Sequence, residues 1–174
     1  PRTGETQTGW FTTLTPKQKV PVLQYNGMNL TESLAICRYI AAKWGKGVIW
    51  QPETIEERAI EDEWCCYIYG ELDETSLYVM RRHRDLPEIY GEAPKAVEAS
   101  AEYASKHLKV IEGKLGEDEF LLKQFSLPDI LLTTCLAWAK SYDIELPTRL
   151  NDYRNRMTER PAYRRAFDKN FRVT

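Results

Sequence analysis

Val20 to Tyr25, followed at once by Asn26-Gly27, limits what this chain can fold into more than any other stretch. The six residues are rich in β-branched and apolar side chains and predict a strand. Asn26-Gly27 predicts a tight hairpin, because a type I′ turn needs positive φ at both central positions. A second short strand is expected through Leu30. Leu34, Ile36, Tyr39, Ile40 and Trp44 then mark one apolar face of a helix, which Thr31 or Glu32 can start and Gly45 can end.

Two features of this unit point to a site. Val20-Pro21 stands at the mouth of a strand, where a residue without N–H is tolerated and a cis bond is accessible. Glu32-Ser33 opens a helix, and the N–H groups and hydroxyl found there suit an anion. Taken alone, Thr31-Glu32-Ser33 reads as a plain helix cap. The sequence V-P-V-L, then N-G, then T-E-S-x-A-I at this spacing is more specific than any of its parts.

The rest of the chain reads differently. Residues 1–9 are polar and predict a loop, with Trp10-Phe11 as an apolar anchor. Thr15 to Lys19 is a basic loop whose plain reading, favoured at Lys17, is solvated turn chemistry. Val48 to Thr54, with Pro52, predicts a linker. From Ile55 strand character disappears, so residues 1–46 are expected as one domain, 47–54 as the connection, and 55–174 as a helical domain.

A long helix is expected from Ile55 to about His83, with Ile60, Trp64, Tyr67, Ile68 and Leu72 inside. Tyr67, Tyr69 and Tyr78 either pack or line an apolar cleft. A second helix is expected over about Lys95 to Leu115, and further ones over Arg149 to Thr158 and from Arg160-Pro161 onward. Phe125-Ser126-Leu127-Pro128-Asp129-Ile130 is a second strong signature. Ser126 and Asp129 form a capping box, Pro128 sits in the first turn, and Phe125 with Ile130 forms a staple. The helix after it is apolar on most sides through about Ser141 and is expected to be buried.

Composition removes several functions. The net charge of −2 gives no electrostatic ground for a nucleic-acid partner. No apolar run approaches the ~20 residues a membrane helix needs, so no membrane partner is expected. The four cysteines, Cys37, Cys65, Cys66 and Cys135, lie in predicted helices without C-x-x-C spacing and read as buried thiols of a cytoplasmic protein. No metal-ligand spacing occurs around His83 or His107. His83-Arg84-Asp85 matches a kinase triplet but has no glycine-rich phosphate loop beside it.

The stretch from Lys19 to Ala41 resembles the glutathione-binding half of the thioredoxin-like domain in glutathione transferases, above all theta-type and bacterial members. The buried helix with its capping box resembles the second domain of that family, and so does the R-P-x-x-x-x-A pattern at Arg160 to Ala166. The resemblance implies an α+β fold: a partial thioredoxin-like domain, then an all-α domain. It implies glutathione as co-substrate and a small hydrophobic electrophile as the other substrate; a homodimer through the first two long helices and the Lys19–Ala41 unit is expected from their apolar and aromatic surplus, Tyr67, Tyr69, Leu77, Tyr78 and Val79.

By resemblance, the backbone of Val20, before a cis Pro21, pairs with the cysteinyl part of glutathione. Glu32 and Ser33 hold the γ-glutamyl amine and carboxylate, Lys19 lies near the glycyl carboxylate, and Lys17 and Gln18, in the segment before it, are secondary candidates. The box of Ser126 and Asp129 is structural. The family's first strand and helix have no counterpart in the residues before Pro21, so the thiol-activating residue is expected upstream of Pro1. Asp73 stands where theta-type members often carry Arg, and an acidic group there opposes a thiolate. Two readings follow: a glutathione transferase, or a part of one, and a non-catalytic transferase-like binding or assembly subunit.

Overall fold

The computed structural model describes residues 4–171. They form two compact units, one ending at Gln51 and one starting at Pro52.

The first unit begins with a 3₁₀ turn, Glu5–Gln7, inside the stretch expected as a loop, and a short helix, α1, Gly9–Leu14, that carries the expected anchor. Phe11 is buried, but Trp10 is 59% exposed, so only half of the expected anchor points inward. Successive residues on a helix point about 100° apart, and a single inward face cannot take both rings.

Strands β1, Val22–Tyr25, and β2, Met28–Thr31, pair antiparallel with Val22 opposite Thr31 and Tyr25 opposite Met28. Pairing begins two residues later than expected, after Pro21, which has no N–H to give. The Val20-Pro21 bond is cis. Asn26 and Gly27 both have positive φ, 46° and 78°, as the I′ turn requires.

Helix α2, Ser33–Trp44, buries Ile36 and Ala41 and leaves Ile40 and Trp44 largely outside. The Trp44 ring instead meets Tyr25 edge-on at 5.3 Å. Gly45 ends α2 through close approach: a Cβ there would lie 2.6 Å from the Ala41 carbonyl oxygen and 2.7 Å from Ile49.

The second unit starts at α3, Ile55–Tyr67. Thr54 caps it in a reciprocal box, with Glu57 N–H donating to Thr54 Oγ1 at 3.1 Å and Glu57 Oε2 accepting from Thr54 N–H at 3.3 Å. Helical chain continues to Asp85, but the winding changes. Ile68–Leu77 is π-helical, α4 (Tyr78–Met80) is a short α segment, and Arg81–Asp85 is π-helical again. The uniform helix expected to His83 is therefore replaced by one with two wide segments. The buried Ser76 hydroxyl donates to the Glu71 carbonyl, five residues back, at 2.7 Å, within the first wide segment.

The inward stripe of α3 also differs. Glu61, Trp64 and Cys65 are buried while Ile60 is 49% exposed. Arg58 stands 3.5 Å from the buried Glu61 carboxylate, and this opposite charge lowers the cost of its burial.

After α5 (Pro87–Tyr90) come α6 (Pro94–Leu115), α7 (Leu127–Ser141), α8 (Thr148–Thr158) and α9 (Pro161–Phe171). One core joins Ile68, Leu72 and Leu77 to Leu108 and Ile111 of α6, Leu132 and Leu136 of α7, and Leu150 and Tyr153 of α8. Cys65 and Cys135 are buried, but Cys37 is only half-buried and Cys66 is exposed. Adjacent residues cannot share one helix face, so burying Cys65 turns Cys66 outward. No helix among the described residues is long and apolar enough to cross a membrane.

Candidate functional site

The hairpin register assembles the site. Val22 pairs with Thr31, so the residues just before β1 and just after β2 share one end of the hairpin, opposite the Asn26-Gly27 turn. Lys19, Val20 and Pro21 lead into that end, and Glu32 and Ser33 leave it. Val20 is 52% exposed there.

Glu32 is the N-cap of α2, yet its side chain makes no cap hydrogen bond. Its backbone holds φ 72° and ψ 121°, a conformation that L residues rarely adopt. Its carbonyl accepts the first helical bond from Ile36 N–H at 2.9 Å. The carboxylate is exposed and turned to Lys17, with which it forms an ion pair. The Lys17 ammonium also donates to Thr31 Oγ1 at 3.3 Å. Ser33 follows as the first residue of α2 and is exposed. The leading N–H groups of α2 have no partner inside the helix, and the helix end adds partial positive charge.

The arrangement offers three things side by side: a carboxylate for a cation, a hydroxyl and helix N–H groups for an anion, and the exposed residue Val20 before the cis Pro21. A ligand bearing adjacent ammonium and carboxylate groups matches the first two.

Lys17 lies in a turn with its side chain 54% exposed, as solvated turn chemistry requires, but it also reaches the Glu32 carboxylate across the open end of the hairpin, a pairing the sequence did not show. A contact between residues fifteen apart leaves no local pattern. Gln18 adopts φ 56° in the turn that carries Lys17, with its N–H donating to the Thr15 carbonyl at 3.1 Å.

Ser126 and Asp129 lie in the second unit, buried, and form a structural cluster. Oδ2 of Asp129 accepts the Ser126 N–H at 2.8 Å and the Ser126 hydroxyl at 2.7 Å. The reciprocal box is present around α7.

The three tyrosines of the first long helical segment each meet a polar or charged partner. Tyr67 Oη lies 2.8 Å from His107 Nδ1, Tyr69 donates to Glu74 at 3.3 Å, and the Arg82 guanidinium sits 4.6 Å above the Tyr78 ring. Asp73 is half-buried in the first π segment. Burial first, and the Glu74 charge second, push its carboxyl up to about 6. Among the described residues no group of His, Cys, Asp and Glu is placed to hold a metal.

Comparison with known proteins agrees with this layout. The family model described as "Glutathione S-transferase, N-terminal domain" matches residues 1–42, and "Glutathione S-transferase, C-terminal domain" matches residues 63–161. The chain is 30% identical over 137 residues to Glutathione S-transferase theta-1 of Bos taurus, covering 76% of this chain and 57% of the bovine one. It is 29% identical over 150 residues to Glutathione S-transferase GstA of Escherichia coli O157:H7, covering 84% of this chain and 71% of that one.

Among solved structures, the theta class glutathione S-transferase of Xanthomonas axonopodis pv. citri, determined with glutathione bound, superposes with a TM-score of 0.76 at 26% identity, covering 92% of this chain and 77% of that one. The chain thus spans little more than half the length of its theta-1 relative. The hairpin unit corresponds to part of a thioredoxin-like N-terminal domain, and the second unit to an all-helical C-terminal domain.

Proposed function

The chain belongs to the glutathione S-transferase family, and from that premise we propose that its hairpin unit binds glutathione for conjugation of the thiolate to a hydrophobic electrophile. The observation that carries this reading is the conformation of Glu32. A carboxylate at a helix N-cap is ordinarily spent on the helix, but here it makes no cap bond and is exposed beside Ser33, paired with the equally exposed Lys17 ammonium. Backbone strain of this kind costs about 1–3 kcal/mol and concentrates at functional sites.

In the proposed complex the Glu32 carboxylate takes the γ-glutamyl ammonium. The Ser33 hydroxyl and the first N–H groups of α2 take the adjacent carboxylate. The Val20 backbone pairs with the cysteinyl residue, and the Lys19 ammonium attracts the glycyl carboxylate. These contacts position the sulfur and leave it open to an electrophile. A free thiol titrates near ~8.5, so only a few per cent is thiolate at neutral pH. Lowering that value by about two units would make thiolate the main form. Holding the electrophile against the sulfur then converts an encounter between two solutes into a reaction within one complex.

We further propose that two copies of the chain associate. Ile60 on α3 and Val110 on α6 expose apolar surface that a second copy would cover. Light scattering at micromolar concentration should give twice the mass of one chain; a single-chain mass would contradict the pairing.

Titrating unlabelled glutathione into the ¹⁵N-labelled protein tests the site. The largest amide shifts are expected at Val20, Glu32, Ser33 and Leu34. Shifts confined to the second unit, or none at millimolar glutathione, would overturn the assignment.

A further inference from the structure

We propose that Lys17 is a tethered competitor for the ligand's ammonium group, and so sets the affinity and selectivity of the glutathione site. The inference rests on the reading of that site given above. Lys17 pairs with the Glu32 carboxylate and with Thr31 Oγ1. Glu32 is the carboxylate assigned to the γ-glutamyl ammonium, so protein and ligand offer the same chemical group to the same acceptor.

The loop that carries Lys17 is fixed at its base. Thr15 is buried, its N–H donates to the Phe11 carbonyl at 3.0 Å, and Gln18 N–H closes a turn onto Thr15. The ammonium is therefore held within reach of Glu32.

The pair is also easy to open. The two side chains are 54% and 53% exposed, and solvent screening keeps such pairs weak. A ligand that must first displace Lys17 binds with its intrinsic affinity reduced by the fraction of molecules in which Glu32 is available. A ligand without an ammonium group has no need of Glu32 and escapes this competition. Lys17 thus lowers affinity only for ligands that use Glu32.

Calorimetric titration of wild type, Lys17→Met, Glu32→Gln and the double variant tests this, with glutathione and with its analogue lacking the γ-glutamyl amine as ligands. Methionine keeps an apolar stem of similar length and removes the charge. Lys17→Met should bind glutathione about two- to fivefold more tightly than wild type, the range open to an exposed ion pair. The gain should vanish with the deaminated analogue, and vanish again in the Glu32→Gln background.

If wild type binds glutathione and Lys17→Met binds it equally well or more weakly, the competition is refuted while the binding site stands. Equal gains with both ligands would also refute it, because Lys17 would then act without reference to the ammonium. If neither wild type nor Lys17→Met binds at millimolar glutathione, the site itself is refuted and the competition with it.

Discussion

The Tyr153 hydroxyl of α8 donates to Asp129 Oδ1 of α7 at 2.6 Å, and the same oxygen accepts the Leu121 N–H at 2.9 Å. With the two bonds from Ser126, one buried carboxylate satisfies four donors from three segments of the chain. Burial, and then the Asp129 charge, hold the Tyr153 hydroxyl far above its usual pKa, so it stays a donor.

This wiring separates two variants that a simple cap would treat alike. Ser126→Ala removes a cap and should cost about 0.5–2 kcal/mol. Asp129→Ala strands the Leu121 N–H and the Tyr153 hydroxyl in the core, at about 1–3 kcal/mol for each buried donor. It should therefore be the more damaging variant, with a total cost of at least about 2 kcal/mol. Chemical denaturation measures both. Equal losses, or none from Asp129→Ala, would contradict the role of Asp129 as a hub.

Glu32 carries its strain in the backbone, which makes a second variant informative. Glycine adopts positive φ freely, at an entropic cost of about 0.5–1 kcal/mol. The strain it would relieve is about 1–3 kcal/mol. Glu32→Gly should therefore be more stable than wild type, by up to about 2 kcal/mol on these figures, while binding glutathione less well. Thermal unfolding and calorimetry report the two effects. A destabilised variant would show that the Glu32 side chain supports the fold rather than a ligand.

Asp73 predicts a pH dependence. Its carboxyl titrates at about 6 in the folded chain, above the ordinary value of 3.8. Between those values the folded state binds more protons than the unfolded one, so this group makes stability fall as pH rises. The loss is complete above about pH 6. At neutral pH, Asp73→Asn should melt at a higher temperature than wild type, and its advantage should shrink as the pH is lowered towards 4. An advantage that is constant across this range, or a less stable variant, would contradict the shift and its cause in burial.

Features with a short-range cause were legible in the sequence. Asn26-Gly27 dictates its turn through backbone sterics, and the apolar period of α6 and the composition of α7 dictate which faces are buried. Thr54 and Glu57, three residues apart before α3, carry the same local capping-box pattern. Other features have causes that no local pattern carries. Lys17 meets Glu32 fifteen residues away, and Tyr153 meets Asp129 twenty-four residues away. The π-helical winding over Ile68–Leu77 shifts the inward face away from the 3.6-residue period used to predict it. The exposure of Ile60 and burial of Glu61 follow from where α3 meets its neighbours rather than from hydrophobicity. At the site, the sequence named the residues around the hairpin's open end, but not that Glu32 would turn its carboxylate to Lys17.

Calorimetric titration of glutathione into wild type and Ser33→Ala tests the central claim most directly. The Ser33 hydroxyl and the positive end of α2 are proposed to hold the γ-glutamyl carboxylate, and a hydrogen bond to a charged group contributes roughly 1.5–3 kcal/mol. Since ~1.4 kcal/mol corresponds to a tenfold change in affinity, wild type should bind and Ser33→Ala should bind about ten- to a hundredfold more weakly. Wild type failing to bind at millimolar glutathione, or Ser33→Ala binding as tightly as wild type, would contradict the account.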